Sequence, residues 1–230
     1  MKHSALLVAV LFSLSAVPSP ATLSMWQSEV AAGTAPAATL FTTLTSPVLF
    51  DIGALSGDRS LEFIFNGNAA AEGSVSSALI GTQSAANGRQ GLKYEQWNNT
   101  GFFGATAFGV ADYTSTVPVQ DNVTLHAVFT SNGTTTDFYL NGAYAYTFDA
   151  MGLALTGVQG LGAASNADGT GFFDVLSGSV FGFASYDSAL SASEISSHFA
   201  AFQAIPEPGT AALAGLAGVM ALRRRRRETV

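Results

Sequence analysis

Residues 60–65, SLEFIF, alternate: Leu61, Phe63 and Phe65 fall on one side of an extended chain and Glu62 on the other. A period of two predicts a half-buried strand. VTLHAVF (123–129) alternates in the same way, with Val123, Leu125, Ala127 and Phe129 on one face and His126 opposite. Asn132-Gly133, TDFYL, Asn141-Gly142 and AYAYTF follow in order. Asn-Gly between alternating runs is a hairpin signal, because both central residues of a type I′ turn need positive φ. Two in succession predict a three-stranded meander over about 123–148. SGSVFGFASYD (177–187) reads as another strand, its glycines pointing to close packing or a bulge. Only one soluble segment has a clear helical period. Ser191 and Glu194 have capping-box spacing, and Ile195, Phe199 and Phe202 recur at i, i+4 and i+7. Its apolar stripe is expected to seal one end of the sheets.

The two ends follow a different pattern. The first 21 residues combine a basic start (Lys2), an apolar stretch from Ala5 to Ala16 and small residues Ser19 and Ala21, the form of a secretory signal cleaved after Ala21. The apolar stretch is shorter than the roughly 20 residues a membrane span requires. At the other end, the uncharged apolar run 209–222 precedes five consecutive arginines, Arg223, Arg224, Arg225, Arg226 and Arg227. Fourteen helical residues rise about 21 Å against a hydrocarbon core of about 30 Å, and snorkelling arginines extend that reach. Positive charge stays cytoplasmic, so the arginines orient the helix with the body exported. The expected organisation is a signal segment at 1–21, a folded body at 22–202 and a C-terminal membrane segment within 203–230.

Composition sharpens this picture. Between residues 22 and 205 there are fourteen Asp and Glu but only three basic residues, Arg59, Arg89 and Lys93. The formal net charge of −7 therefore understates how acidic the body is. Such a surface repels phosphate backbones and argues against nucleic acid as a partner. The absence of cysteine excludes disulfides, thiolate metal sites and cysteine nucleophiles.

Pro206, Glu207 and Pro208, followed by the apolar helix and the terminal arginines, resemble the PEP-CTERM sorting signal of Gram-negative bacteria. The resemblance implies an exosortase partner that removes the helix and arginines. It also implies export through the secretion machinery, a membrane-anchored precursor, and a final place at the cell surface or in the extracellular matrix. The body resembles the LamG-like branch of the concanavalin A-like jelly rolls. The residues that carry this are LHAVFT and DFYLNG, with Tyr139, Leu140, Asn141 and Gly142 at the turn, then GLGAAS (160–165). The closing Tyr186, Asp187, Ala189, Leu190, Ser191, Glu194 and Ile195 complete it, and the match is weaker over 40–122. The implied fold is all-β, a two-sheet antiparallel jelly-roll sandwich of about 12 to 14 strands with a short capping helix. The signal helix and the C-terminal transmembrane helix are added to it.

The chemistry is sparse. Catalytic jelly rolls that cut β-glucans carry Glu-x-Asp-x-x-Glu on one strand, and no such run occurs; Glu62, Glu72 and Glu95 each stand alone. His126 is expected to be an ordinary hydrogen-bonded histidine. KYEQWNNTGFFG (93–104) groups aromatics with amides, which suits sugar rings with an apolar face and a hydroxyl rim. Tyr94, Trp97, Asn98 and Asn99 are the candidate ligand-binding residues, against the plainer alternative that the aromatics are core. SNADGTGFFD (165–174) offers Asn166, Asp168 and Asp174 as candidate calcium ligands, against a simple turn. No cofactor is required. The functional expectation is an exported, exosortase-sorted surface or matrix protein that binds glycan, exopolysaccharide first among them, or protein, without catalysis. The alternatives are a polysaccharide hydrolase with carboxylates from separate strands, and a structural envelope protein.

Overall fold

The computed structural model describes residues 18 and 20–203. The signal segment up to residue 17, Pro206 to Pro208, the apolar run 209–222 and Arg223 to Arg227 lie outside the described residues. Fourteen strands and two α-helices are described in chain order. They are α1 (Pro20–Ala32), β1 (Ala38–Leu40), β2 (Val48–Asp51), β3 (Arg59–Gly67), β4 (Ser77–Thr82), β5 (Gln90–Glu95), β6 (Phe102–Ala107) and β7 (Ala111–Pro118). Then come β8 (Leu125–Ser131), β9 (Thr136–Leu140), β10 (Ala143–Phe148), β11 (Val158–Leu161), β12 (Ala164–Ser165), β13 (Phe172–Phe173), β14 (Gly178–Tyr186) and α2 (Ala192–Gln203). No helix among the described residues is long and apolar enough to cross a membrane.

The strands form two sheets, as expected of a jelly-roll sandwich. One has six strands in the order β1-β14-β3-β8-β9-β10. The other has eight, running β13-β12-β4-β5-β6-β7 with β11 and β2 attached beside β4. All pairings between strands are antiparallel except β12 with β4. The inward residues of β3 (Leu61, Phe63, Phe65) and β8 (Leu125, Ala127, Phe129) meet Leu92 and Tyr94 of β5 and Phe103 of β6 in the main core. Phe129 stacks on Phe138 at 4.6 Å and Phe103 tilts against the same ring at 5.0 Å. Burying such side chains contributes roughly 1.5–3 kcal/mol each.

The expected meander is present as β8, β9 and β10, but its two turns differ. Asn141 and Gly142 both take positive φ (51° and 76°), and Leu140 pairs with Ala143, giving the two-residue hairpin. At the first turn only Gly133 has positive φ. Asn132 instead uses Oδ1 to accept from the backbone N–H groups of Thr134 and Thr135, and the loop lengthens to four residues. The type I′ expectation there is corrected.

The structure also corrects the outer face of β3. Its alternation is real, yet the strand is buried on both sides, and Glu62 has no exposure at all. The cause is a second apolar layer. Helices α1 and α2 pack on each other and lie over this face, where Trp26 and Val30 of α1 and Ile195 of α2 join Ile64, Val128, Phe181 and Tyr186. Helix α2 starts with the expected capping box, Ser191 N–H donating to Glu194 Oε2 at 2.9 Å. It covers a sheet face rather than sealing one end. Close approach of α1 depends on Gly182, at a bulge in β14, since a Cβ there would stand 2.4 Å from the Trp26 ring.

Candidate functional site

The other outer face, that of the eight-stranded sheet, is open. Along β5, Leu92 and Tyr94 turn into the core, so Lys93 turns outward. Its neighbours on this face are small: Gly104 sits opposite Lys93, and Gly91 sits opposite Thr106. The result is a groove of about 470 Å³ with Lys93 and Thr106 at its floor, Phe108 and Phe173 along its sides, and Gln83, Trp97 and Asp112 also lining it.

The floor is polar but internally compensated. Lys93 Nζ donates to Ser76 Oγ at 3.0 Å and forms an ion pair with Asp174. It also lies 5.3 Å from the centroid of Phe108, whose ring stands edge-on to Phe173. Burial pushes the Lys93 ammonium below its usual range, with the Asp174 charge opposing that shift. Thr106 Oγ1 donates to Asp112 Oδ1 at 2.7 Å, which holds that exposed carboxylate against β6.

The loop between β5 and β6 presents Trp97. Gln96 swings across β6, where its Nε2 donates to the carbonyls of Ala105 and Tyr113, and its Oε1 accepts from the Trp97 backbone N–H at 2.6 Å. Asn98, Asn99 and Gly101 take positive φ (73°, 51° and 74°), a run that closes a tight turn. Gly101 N–H is caught by Glu95 Oε1 at 3.0 Å and Asn99 N–H by the Val75 carbonyl at 3.0 Å. The indole is thus anchored at its base and 55% exposed.

The four candidate ligand residues therefore part company. Trp97 lines the groove, and Asn98 and Asn99 are exposed in the turn beside it. Tyr94 is fully buried in the core with its hydroxyl donated to Asp121 at 2.8 Å, so it is corrected to a structural residue. The competing reading of these aromatics as core holds for Tyr94 and Phe103 but not for Trp97.

The calcium candidates are engaged separately. Asp168 Oδ1 accepts from Thr170 N–H and Oγ1 within its own turn, Asn166 N–H closes on the Gly171 carbonyl, and Asp174 is held by Lys93. A cation on all three would have to displace Lys93 from Asp174. No group of three or more His, Cys, Asp or Glu among the described residues is arranged to hold a metal ion.

Several groove residues escaped the sequence reading: Lys93, Phe108, Asp112 and Phe173. The signal for Lys93 was present in GLKYE (91–95), where the alternation that buries Leu92 and Tyr94 turns Lys93 outward. Asp174 joins it across 81 positions of sequence, a pairing that only the fold supplies.

A jelly-roll sandwich with one helix-covered face and one grooved face describes a lectin-like module. The chain belongs to the concanavalin A-like lectin/glucanases superfamily, whose laminin G-type family model matches residues 68–196. Among curated proteins none matches it. Its fold is similar to the CBM40 of the Ruminococcus gnavus IT-sialidase bound to α2,3-sialyllactose, at 16% identity and a TM-score of 0.51 over 70% of this chain and 97% of that one. It is similar too to the heptameric SAP-like pentraxin of Limulus polyphemus, at 13% identity and a TM-score of 0.50 over 69% and 79%. A third likeness is to the K499G mutant of the NanB sialidase of Streptococcus pneumoniae, at 15% identity and a TM-score of 0.50 over 70% of this chain. The chain spans only 28% of the length of that sialidase.

Proposed function

We propose that the domain is a glycan-binding module of an exported bacterial surface or matrix protein, one that holds its ligand rather than cutting it. The observation that carries this is the groove: an anchored, exposed indole beside two phenyl rings, over a floor of polar groups with paired charges. A sugar ring has an apolar face for the aromatics and a rim of hydroxyls for Asp112 and Gln83. The similar CBM40 is described as bound to a sialylated sugar, which supports a glycan as the ligand class. Exopolysaccharide is the first candidate, because the PEP-CTERM resemblance of residues 206–208 and the arginine run implies export by bacteria that make such polymers.

A glycan array probed with the purified protein, with reducing-end release measured on every glycan retained, tests this reading. Retention of a defined sugar class without new reducing ends is the expected result. Release of reducing ends would make the domain a hydrolase, and silence in both would leave a structural role. The mass of protein recovered from the native envelope tests sorting separately. Loss of residues at both ends is expected, and a main species still carrying Arg223 to Arg227 would contradict it.

A further inference from the structure

On the covered face, one carboxylate gathers partners from four separate elements. Glu62, at the middle of β3, is fully buried. Its Oε1 accepts from Trp26 Nε1 of α1 at 2.6 Å and bonds His126 Nε2 of β8 at 2.8 Å. Its Oε2 accepts from the Tyr186 hydroxyl of β14 at 2.7 Å and bonds His198 Nδ1 of α2 at 3.0 Å. A single group thus ties both helices to the sheet.

The two histidines hold different positions. His126 Nδ1 is buried without a partner, and its ring lies against Phe199 at 5.8 Å. A donor on that nitrogen would be unpaired in a dry site, so His126 contributes to the cluster through its Nε2 bond to Glu62 alone. His198 sits in the crevice between the helices, its Nε2 3.6 Å from the point where a Cβ on Gly33 would stand, just past the end of α1. The carbonyls at a helix C-terminus favour a cation there. The charged and titratable groups facing His198 are Glu62 of β3, Tyr186 of β14, Glu29 of α1 and Glu194 of α2. Three of the four are carboxylates.

We propose that His198 is the titrating half of a pH-sensitive clasp. Protonated, it completes an ion pair with Glu62 that locks α1 and α2 onto the six-stranded sheet. Once it is deprotonated, α2 is retained by packing and neutral hydrogen bonds and opens locally while the sandwich stays folded. Burial lowers the basicity of His198, but the Glu62 hydrogen bond and charge outweigh it and lift the imidazole above its ordinary 6.5. Stabilisation from His198 is therefore whole below that value and is lost as pH rises through the raised one. On the sorting reading, α2 ends at Gln203, three positions before Pro206, so the clasp governs how firmly the chain is held just ahead of that motif.

Hydrogen exchange on the full-length protein at about pH 5.5 and about pH 8.5, each corrected for intrinsic amide chemistry, tests the clasp independently of sorting. Protection of the α2 amides should fall severalfold at the higher pH, while β3 and β8 hold theirs. In His198→Gln, the pH-dependent part of the loss should vanish. Equal protection of α2 at both pH values in the wild type would overturn the clasp, as would the same loss persisting in His198→Gln. Should that variant not fold, the wild-type His198 ring followed by NMR decides. Titration above 6.5 is expected, and titration at or below it would overturn the proposal.

Discussion

The two outer faces of the sandwich each hold a buried charge, and they treat it differently. Glu62 lies beneath two helices with four partners and no exposure. Lys93 lies at the floor of an open groove, held by Asp174 and Ser76, with Asp174 at the groove lining. A buried charge is tolerated only when its partners replace water, and the closed face replaces all of it. The open face leaves part of that task to solvent or to whatever fills the groove. One face is built for cohesion and the other is left available for a ligand.

The largest difference between the faces should appear when their charges are removed. Glu62→Gln puts an amide among donors arranged for a carboxylate, and urea unfolding should show a loss of about 3–5 kcal/mol. Lys93→Met should cost about 1–2 kcal/mol, because water in the groove can take over part of Asp174's pairing. Equal costs would break the comparison. Trp26→Ala, at the middle of α1, should cost about 3–5 kcal/mol through lost burial and the cavity left behind.

Glycines give a smaller test. Gly182→Ala must push the Trp26 ring away, and about 1–3 kcal/mol is expected from thermal unfolding. Gly101→Ala, in the loop beside the groove, meets no atom within 4 Å and has only its φ of 74° to sustain, so about 1 kcal/mol is expected.

The pH profile gives a test without large losses. For Glu62, burial raises the carboxyl's affinity for protons, but bonds to His126 and His198 prevail and hold it well below its usual 4.5. Its contribution is therefore present above 4.5 and lost as pH falls. Glu72 behaves oppositely: burial, then the charges of Glu95 and Asp121, push it up to about 8. Its contribution drains away as pH climbs from 4.5 to about 8, alongside that of His198. Melting temperature should peak near pH 5–6 and decline towards 8. Glu72→Gln and His198→Gln should each remove part of the alkaline slope, and a flat profile from 5 to 9 would contradict both assignments.

Local chemistry was legible in the sequence where a few adjacent residues decide the outcome. The Asn141-Gly142 hairpin and the Ser191 capping box formed as expected because each needs only its own neighbours. Asn132-Gly133 looked the same, yet Asn132 turned its side chain to the loop's own amides. Alternation located Glu62 on the outer side of β3 but could not report that helices cover that side. Helix α1 went unseen because its residues follow the signal segment, although Leu23, Trp26 and Val30 have helical spacing. Trp97 was picked out by composition, and Tyr94 with it, where parity with Leu92 already pointed inward. The groove itself depends on contacts between distant segments, Lys93 with Asp174 and Phe108 with Phe173, which no local pattern encodes.

The smallest expected effect on stability carries the central claim. Trp97→Ala removes an exposed side chain whose backbone stays anchored by Gln96, so unfolding should remain within about 1 kcal/mol of wild type. Trp26 is fully buried and bonded to Glu62, so a ligand entering the groove should alter the fluorescence of Trp97 alone. The deciding measurement is a titration of wild type and Trp97→Ala with a glycan retained on the array, followed by calorimetry. The wild type is expected to bind with a change in tryptophan emission, and the variant to lose about tenfold in affinity, which is about 1.4 kcal/mol and within the range of a stacked ring. Unchanged affinity in a stable Trp97→Ala protein would contradict the assignment of this groove as the glycan site.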